Sequence, residues 1–441
     1  MHKYFRTSAV ALAVTTLFSG AALADSEKVM DAVTVKASKP VPLPANTGTI
    51  GADSVVARQA EVSDTARLLD GVPGVALSGA GGVSSLPVIH GLADDRNRIK
   101  IDEMDLISAC GNHMNPPLSY VDPTNVESVK VYAGITPVSV GGDSIGGSIV
   151  VNSKAPRFAK SGEGLLTTGE VGGFYRSNGD AHGVHASATV ASENVSFSYN
   201  GATAQSDNYK SAKAFKPGAN ATWTTAGTHW IPGNEVGSSA YKTENHALGV
   251  ALRSDNHLFD LKVGFQHIPY QGFPNQHMDM TDNKSTQVNV GYKGNYQWGV
   301  LQARVYHEET RHKMDFGPDK LYWYGTARNV AGMPMETRGL NTGALVKADI
   351  ALSEQDLLRV GTEYQRYRLD DWWPPVANST MMGPITFQNI NEGKRDRFDL
   401  FAEWEAQWTA KWTTLAGLRS STVQTDAAAV HGYNAMAGYA T

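Results

Sequence analysis

Cysteine is almost missing: the 441 residues hold one, Cys110. A lone thiol cannot close an intramolecular disulfide, so the chain is no disulfide-stapled scaffold. Charge is sparse as well, at 18% Asp, Glu, Lys and Arg, and the balance is not basic, with 38 Lys plus Arg against 43 Asp plus Glu. That excludes the basic footprint of a nucleic-acid binder. Long apolar runs are lacking: beyond the first 24 residues none approaches the roughly 20 that a membrane-spanning helix needs. A β-barrel is untouched by that absence, because its strands alternate. Catalytic signatures are absent too, with no nucleophile elbow, no carboxylate pair spaced for hydrolysis and no zincin motif. The expectation is a protein that is not an enzyme.

What is present is 41% hydrophobic residues, 44 Gly, 17 Tyr and 9 Trp. This is too apolar for wholesale disorder and too rich in glycine for a coiled coil. The N-terminus gives an address. Lys3 and Arg6 precede an apolar stretch from Ala9 to Phe18, and Ala22-Leu23-Ala24 offers the small residues a signal peptidase accepts. Residues 1–24 are read as a signal peptide, with Asp25 first in the exported chain. Removing Lys3 and Arg6 leaves 36 basic residues (38 − 2) against 43 acidic ones, a net of −7. In an oxidising compartment Cys110 must then be buried, paired between chains, or held by a ligand.

Three regions follow. Residues 25–49 are polar and broken by Pro40, Pro42 and Pro44, which suits an extended leader. Residues 50–156 carry short signals of mixed type. Ser63-Asp64-Thr65 caps a short helix through Asp70, and β-rich runs stand at Pro87 to Ile89, Arg98 to Ile101, Val126 to Tyr132 and Ser148 to Val151. From 157 onward the period is two. Val288, Val290, Tyr292 and Tyr296 share one face against Gln287, Asn289, Lys293 and Asn295, and Phe259 to Phe265 and Phe398 to Trp408 alternate likewise. Weaker runs lie at Leu165 to Tyr175, Val184 to Ala191, Val195 to Ala202, His246 to Leu252, Leu301 to His307, Val346 to Leu352, Leu358 to Tyr364 and Leu415 to Arg419. Aromatics near strand ends suit a membrane-interface girdle, although a soluble β-sandwich has the same alternation.

These residues carry a resemblance. Asp31-Ala32-Val33-Thr34-Val35-Lys36-Ala37 resembles the energy-coupling TonB box of TonB-dependent outer-membrane receptors. Leu68 to Val75, Pro87 to Leu92, Ile101-Asp102, Asn125 to Gly134 and Gly141 to Asn152 resemble the plug pattern of that family, in family order. His90 departs from it, standing where most members place Arg, and Ala133 replaces another Arg. The resemblance implies a mixed α/β plug followed by an antiparallel transmembrane β-barrel, with 22 strands expected in the family. It implies the outer membrane of a Gram-negative bacterium, and as partners TonB with its inner-membrane energising complex, outer-membrane lipid and the barrel-assembly machinery. From Lys160 to Thr441 there are 282 residues. At roughly 24 residues per strand that is about half of the 520 or so a full barrel needs, so residues 157–441 are expected to form an incomplete, N-terminal part.

The best evidence on substrate is sulfur. Cys110-Gly111-Asn112-His113-Met114 sets a thiol and a thioether four apart, one face of a helical turn, and Gln276-His277-Met278-Asp279-Met280 offers a second donor group on a loop. Thiolate, thioether and imidazole together select Cu(I) over harder ions. The first element resembles the Cys-x-x-x-Met of outer-membrane copper receptors of the OprC and NosA type, which also carry a His-x-Met element in the barrel. Cys110 and Met114 carry over directly. His277 and Met280 are two residues apart, so either Met278 takes the place of the family His or the register differs. The expected metal ligands are thus Cys110, Met114 and Met280 with His277 or Met278, and the expected cargo is copper. His307, His312 and Met314 along one strand and its loop, and Met333 with Met335, are further thioether and imidazole donors that could capture copper ahead of that site, or simply pack loops. The competing readings are a ferric siderophore receptor, which would favour aromatic and Arg contacts, and an uncoupled pore or adhesin.

Overall fold

The computed structural model describes residues 47–434 apart from 80, 143, 221–228, 321–322 and 325–329. The signal peptide, most of the leader and the box from Asp31 to Ala37 lie outside the described residues.

The first part is a small mixed unit. Strands β1 (Thr47–Ile50), β2 (Val75–Ser78), β3 (Leu86–Ile89), β4 (Asn97–Ile101), β5 (Met104–Asp105), β6 (Val126–Tyr132) and β7 (Gly147–Ser153) alternate with one helix, α1 (Ala52–Arg58), and several 3-10 turns. Five of the strands form one sheet in the order β1-β6-β7-β4-β5, and β2 and β3 pair as a hairpin. The Asp64 carboxylate caps the 3-10 turn Thr65–Leu69 by accepting from the Ala66 N–H. Leu68, Leu69, Ile89, Val131, Ile149 and Val151 close the core beneath the sheet. His90 takes a left-handed backbone and its Nε2 meets the Ala133 carbonyl at 3.1 Å, tying the hairpin to the end of β6.

The second part is a wall of long antiparallel strands: β8 (Leu166–Arg176), β9 (Ala181–Ala191), β10 (Val195–Ser206), β13 (Tyr241–Ser254), β14 (His257–Gln271), β15 (Asp279–Tyr296), β16 (Gly299–Asp315), β19 (Met335–Ala351), β20 (Asp356–Trp373), β21 (Phe387–Gln407) and β22 (Thr413–Asp426). Two-residue hairpins, β11 (Ala219–Asn220) with β12 (Trp230–Ile231) and β17 (Trp323–Tyr324) with β18 (Val330–Ala331), sit in its longer connections. Among the described residues the wall has 11 strands, each paired with its sequence neighbour, in an open order from β22 to β8. Apolar side chains face outward, with Val290, Val305, Phe259, Leu248 and Leu400 exposed, while Asn283, Ser285, Asn289, Thr310 and Asn341 are buried inward against the plug. Water-soluble sheets bury the apolar face; this arrangement is the inverse, the one a strand facing hydrocarbon requires.

Plug and wall are locked by charge. Arg98, Lys100 and Asp105 of the plug meet Glu363, Arg397, Asp399 and Arg419 of β20 to β22, all nearly buried. The Lys100 ammonium lies 2.9 Å from Glu363, and the Arg419 guanidinium lies 2.8 Å from Glu363 and 2.6 Å from Asp399. Burial opposes the charged form of Asp105, yet Arg98 and Arg397 beside it hold its carboxyl down at about 2.

Candidate functional site

The connections of the wall are unequal at its two ends. Short turns, 192–194, 255–256, 297–298, 352–355 and 408–412, mark one end, and 207–240, 272–278, 316–334 and 374–386, with the short 177–180, mark the other. The plug segment 106–116 reaches toward the second end. It does not form the helical turn expected of Cys110 to Met114. His113 donates its N–H to the Cys110 carbonyl at 2.9 Å and adopts a positive φ of 53°, which makes a tight non-helical turn. Pro116 biases Asn115 away from helix as well. The turn still folds thiol and thioether into one buried cluster.

Asn115 holds this turn. Its Oδ1 accepts from the Cys110 N–H at 3.1 Å and from the Ser108 hydroxyl at 2.8 Å, and its Nδ2 donates to Asn283 Oδ1 on β15 at 3.1 Å. The Tyr367 hydroxyl of β20 donates to the Ser108 carbonyl at 2.8 Å. Burial pushes the Cys110 thiol up, against the N–H groups of Met114, Asn112 and His113 that face its sulfur.

The wall supplies the rest. Strand register sets Gln271, Met280, Met314 and Met335 side by side across β14, β15, β16 and β19, with neighbouring strands about 4.8 Å apart. Cys110, Met114, Met278, Met280, Met314 and Met335 pack in one buried cluster with Ile268, Phe273 and Tyr241, and Met333 lies at its edge. The plug closes in from the side through Gly81 and Gly82, where a Cβ would stand 2.4 Å from Gln271 Nε2 and 2.1 Å from the Tyr241 ring. One row inward, Asn283, His312 and Thr337 are register partners. His312 is fully buried, and among the described residues neither ring nitrogen has a hydrogen-bond partner.

The structure thus brings together Cys110, Met114, Met278 and Met280, as the sequence led one to expect, and leaves His277 exposed outside the cluster. The imidazole beside the sulfur cluster is His312. Met314, expected at best to capture copper on the way in, is part of the cluster itself, and so is Met335. The signal was in the sequence: His312-Lys313-Met314 is a His-x-Met element, and on a strand that spacing turns both side chains to one face. Among the described residues no three His, Cys, Asp or Glu side chains converge on a metal-sized site. The donors here are thioether, thiol and imidazole, a soft set suited to a monovalent d¹⁰ cation.

Residues 41–148 match the family model of the TonB-dependent receptor plug domain. The fold is that of a TonB-dependent receptor. The solved structure titled copper transporter OprC is similar with a TM-score of 0.68 at 18% identity, over 89% of this chain and 58% of that one. The ferric enterobactin receptor PfeA from Pseudomonas aeruginosa, in complex with enterobactin, gives 0.60 at 17% over 87% and 59%. The FrpB iron transporter from Neisseria meningitidis gives 0.62 at 17% over 87% and 60%. This chain therefore spans about three fifths of the length of these receptors. No curated protein matches its sequence. Its neighbours in fold are transporters and receptors, not enzymes.

Proposed function

We propose that this protein is a TonB-dependent importer of copper in the outer membrane of a Gram-negative bacterium. One observation carries the reading: a thiol and a thioether from the plug meet thioethers from the wall in one buried cluster, and the buried imidazole of His312 lies one strand row inward of it. Cys110, Met114, His312 and Met314 are the ligands of choice for Cu(I), with Met280, Met278 and Met335 as surrounding thioethers. Siderophores are large, polar chelates that need open, hydrogen-bonding surfaces, which a buried Met and Phe cluster does not offer. Similarity in fold to a copper transporter supports the reading, and similarity to iron receptors sets the alternative.

The ligand set straddles plug and wall, so releasing the ion requires only that the two part. Traction by TonB on the leader, through the box Asp31, Ala32, Val33, Thr34 and Val35, is the step that would part them, strand adding to strand by main-chain hydrogen bonds. The test is metal content by mass spectrometry on protein purified from outer membranes and exposed to Cu(I), beside Cys110→Ala. Copper near one equivalent in the parent and little in the variant supports the assignment. Copper in neither brings the siderophore reading forward. Deleting residues 31–37 separates an energised receptor, which loses uptake, from a passive pore, which keeps it.

A further inference from the structure

Most charged side chains buried between plug and wall come in pairs; among the described residues Asp122, Asp371 and Glu308 do not. Asp105 has Arg98 and Arg397, Glu363 has Lys100 and Arg419, Asp399 has Arg419, and Glu403 has Arg359. Glu308 on β16 is equally buried, at 2% exposure, and among the described residues it has no cationic partner. Its hydrogen bonds are long and come from neutral groups, Ser285 Oγ at 3.4 Å and Gln287 Nε2 at 3.5 Å, and Asn341 and Thr310 also face it. Tyr120 of the plug and Tyr367 of β20 are titratable groups on other elements that its charge reaches. A buried carboxyl so placed either keeps its proton or recruits a cation.

Its position is informative. Glu308, Thr310, His312 and Met314 alternate along the inward face of β16. Four residues of strand put Glu308 about 13 Å inward of His312. Thr310 Oγ1 between them, and at the His312 row both ring nitrogens and Thr337 Oγ1 on the neighbouring strand, are buried without a hydrogen bond among the described residues. Ser285 and Gln287, which contact Glu308, also line a cavity of about 340 Å³ between plug and wall. Asp122, Asn125, Asn245, Gln266 and Asn289 line it too, and it runs to Arg157 and Thr168 near the short-turn end.

We propose that Glu308, with the hydroxyl oxygen of Ser285, is a second, weaker cation station, receiving the ion from the sulfur cluster and delivering it into this cavity. The inference rests on the copper reading. Carboxylate and hydroxyl oxygens hold Cu(I) far less tightly than thiolate and thioether, as a station of transit requires. The step exchanges one cation for one proton. The ion leaves the Cys110 thiolate for the Glu308 carboxylate and the carboxyl proton ends on the thiol, so no buried charge is created and no oxidant is consumed.

Glu308→Gln removes the anion and keeps the shape. The experiment compares it with the parent, using Cu(I) as probe, by bound copper per purified chain and by cellular uptake of radioactive copper at matched surface levels. The expected result is copper bound as in the parent, with uptake slowed roughly tenfold or more, equivalent to about 1.4 kcal/mol on the limiting step. Parent-like uptake would overturn the proposal, and so would loss of bound copper, which would place Glu308 in the primary site. Absence of copper from the parent sinks the copper reading itself, and is recognised before any variant is compared. Should Glu308→Gln fail to accumulate, Ser285→Ala removes the neighbouring oxygen from β15 and poses the same question with the same two outcomes.

Discussion

His312 is where stability and cargo binding pull apart, and replacing it measures both. Its ring is fully buried and both nitrogens lack hydrogen bonds, and each unmet polar group of this kind costs about 1–3 kcal/mol. Leucine fills a similar volume without polar atoms. His312→Leu should therefore raise the stability of the metal-free protein by about 1–3 kcal/mol, read as a higher midpoint of thermal unfolding in detergent with a Cu(I) chelator present. Copper affinity should move the other way. If a four-ligand site contributes roughly 12 kcal/mol, losing one ligand costs about 3 kcal/mol, or on the order of 100-fold in Kd. Competition with a coloured Cu(I) chelator measures this directly. His277→Leu is the control, because that ring is exposed and outside the cluster, and it should leave both quantities unchanged. A His312→Leu protein that is less stable and binds copper as before, beside a His277→Leu protein that does not bind, would refute the assignment.

Asn115→Ala strips the turn of its hub, leaving the Cys110 N–H and Asn283 Oδ1 buried without their partner. A loss of about 3 kcal/mol and weaker copper binding are expected, and unaltered affinity by chelator competition would mean that the turn holds without Asn115. Asp105 predicts an acid limb. Its carboxyl sits at about 2 when folded, below the usual 3.8, so its contribution of about 2 kcal/mol is complete above pH 4 and is lost as pH falls from about 4 to about 2. Unfolding midpoints followed over that range should flatten in Asp105→Asn, and an unchanged slope would count against the network. Val290→Lys puts a charge on the outward apolar face and should cost about 2–4 kcal/mol of stability in lipid, whereas Thr281→Lys, near the long-loop end of the same strand, should cost about 0–1. Equal costs would mean that this face does not meet hydrocarbon.

Much of the wall was legible from alternation alone, and its failures share one cause. Each alternating run falls on an observed strand, with Leu165, Leu352 and Trp408 one residue past a strand end, but Gln287 to Tyr296 is only the inner part of β15 and Leu301 to His307 only the inner part of β16. Apolar alternation records contact with lipid. Farther out, Thr281, Lys284, Arg311 and Lys313 face outward and are exposed, while Asn283, Thr310 and His312 face the plug. Both faces carry polar residues there, so the period disappears while the strand continues. That hid the shared face of His312 and Met314 and left the exposed His277 as the more conspicuous candidate. The row of Met280, Met314 and Met335 was beyond reach for another reason, since register across three strands depends on connections of unlike length. The plug was the more legible part, because its short strands end at turns that glycine and proline mark in the sequence, as at Gly71 and Pro73.

On the copper reading, the composition of the site follows from its having to exist in two states. Six sulfur-bearing side chains among Ile268, Phe273 and Tyr241 form an acceptable hydrophobic core when no ion is bound, because thiol and thioether lose little on burial. The imidazole of His312 is different: buried one row inward and, among the described residues, without a hydrogen bond, it costs the metal-free state and would gain most from a cation. Ion binding therefore tightens plug against wall, and by linkage anything that loosens plug from wall must weaken ion binding by the same factor. The charged lock of Arg98, Lys100 and Asp105 with Glu363, Arg397 and Arg419 has every partner in place without cargo, so it contributes equally to both states. What distinguishes loaded from empty is the sulfur and imidazole set alone. A pull transmitted to the plug would then meet greater resistance with copper bound, and the work done against that added resistance is what lowers the affinity enough for the ion to leave.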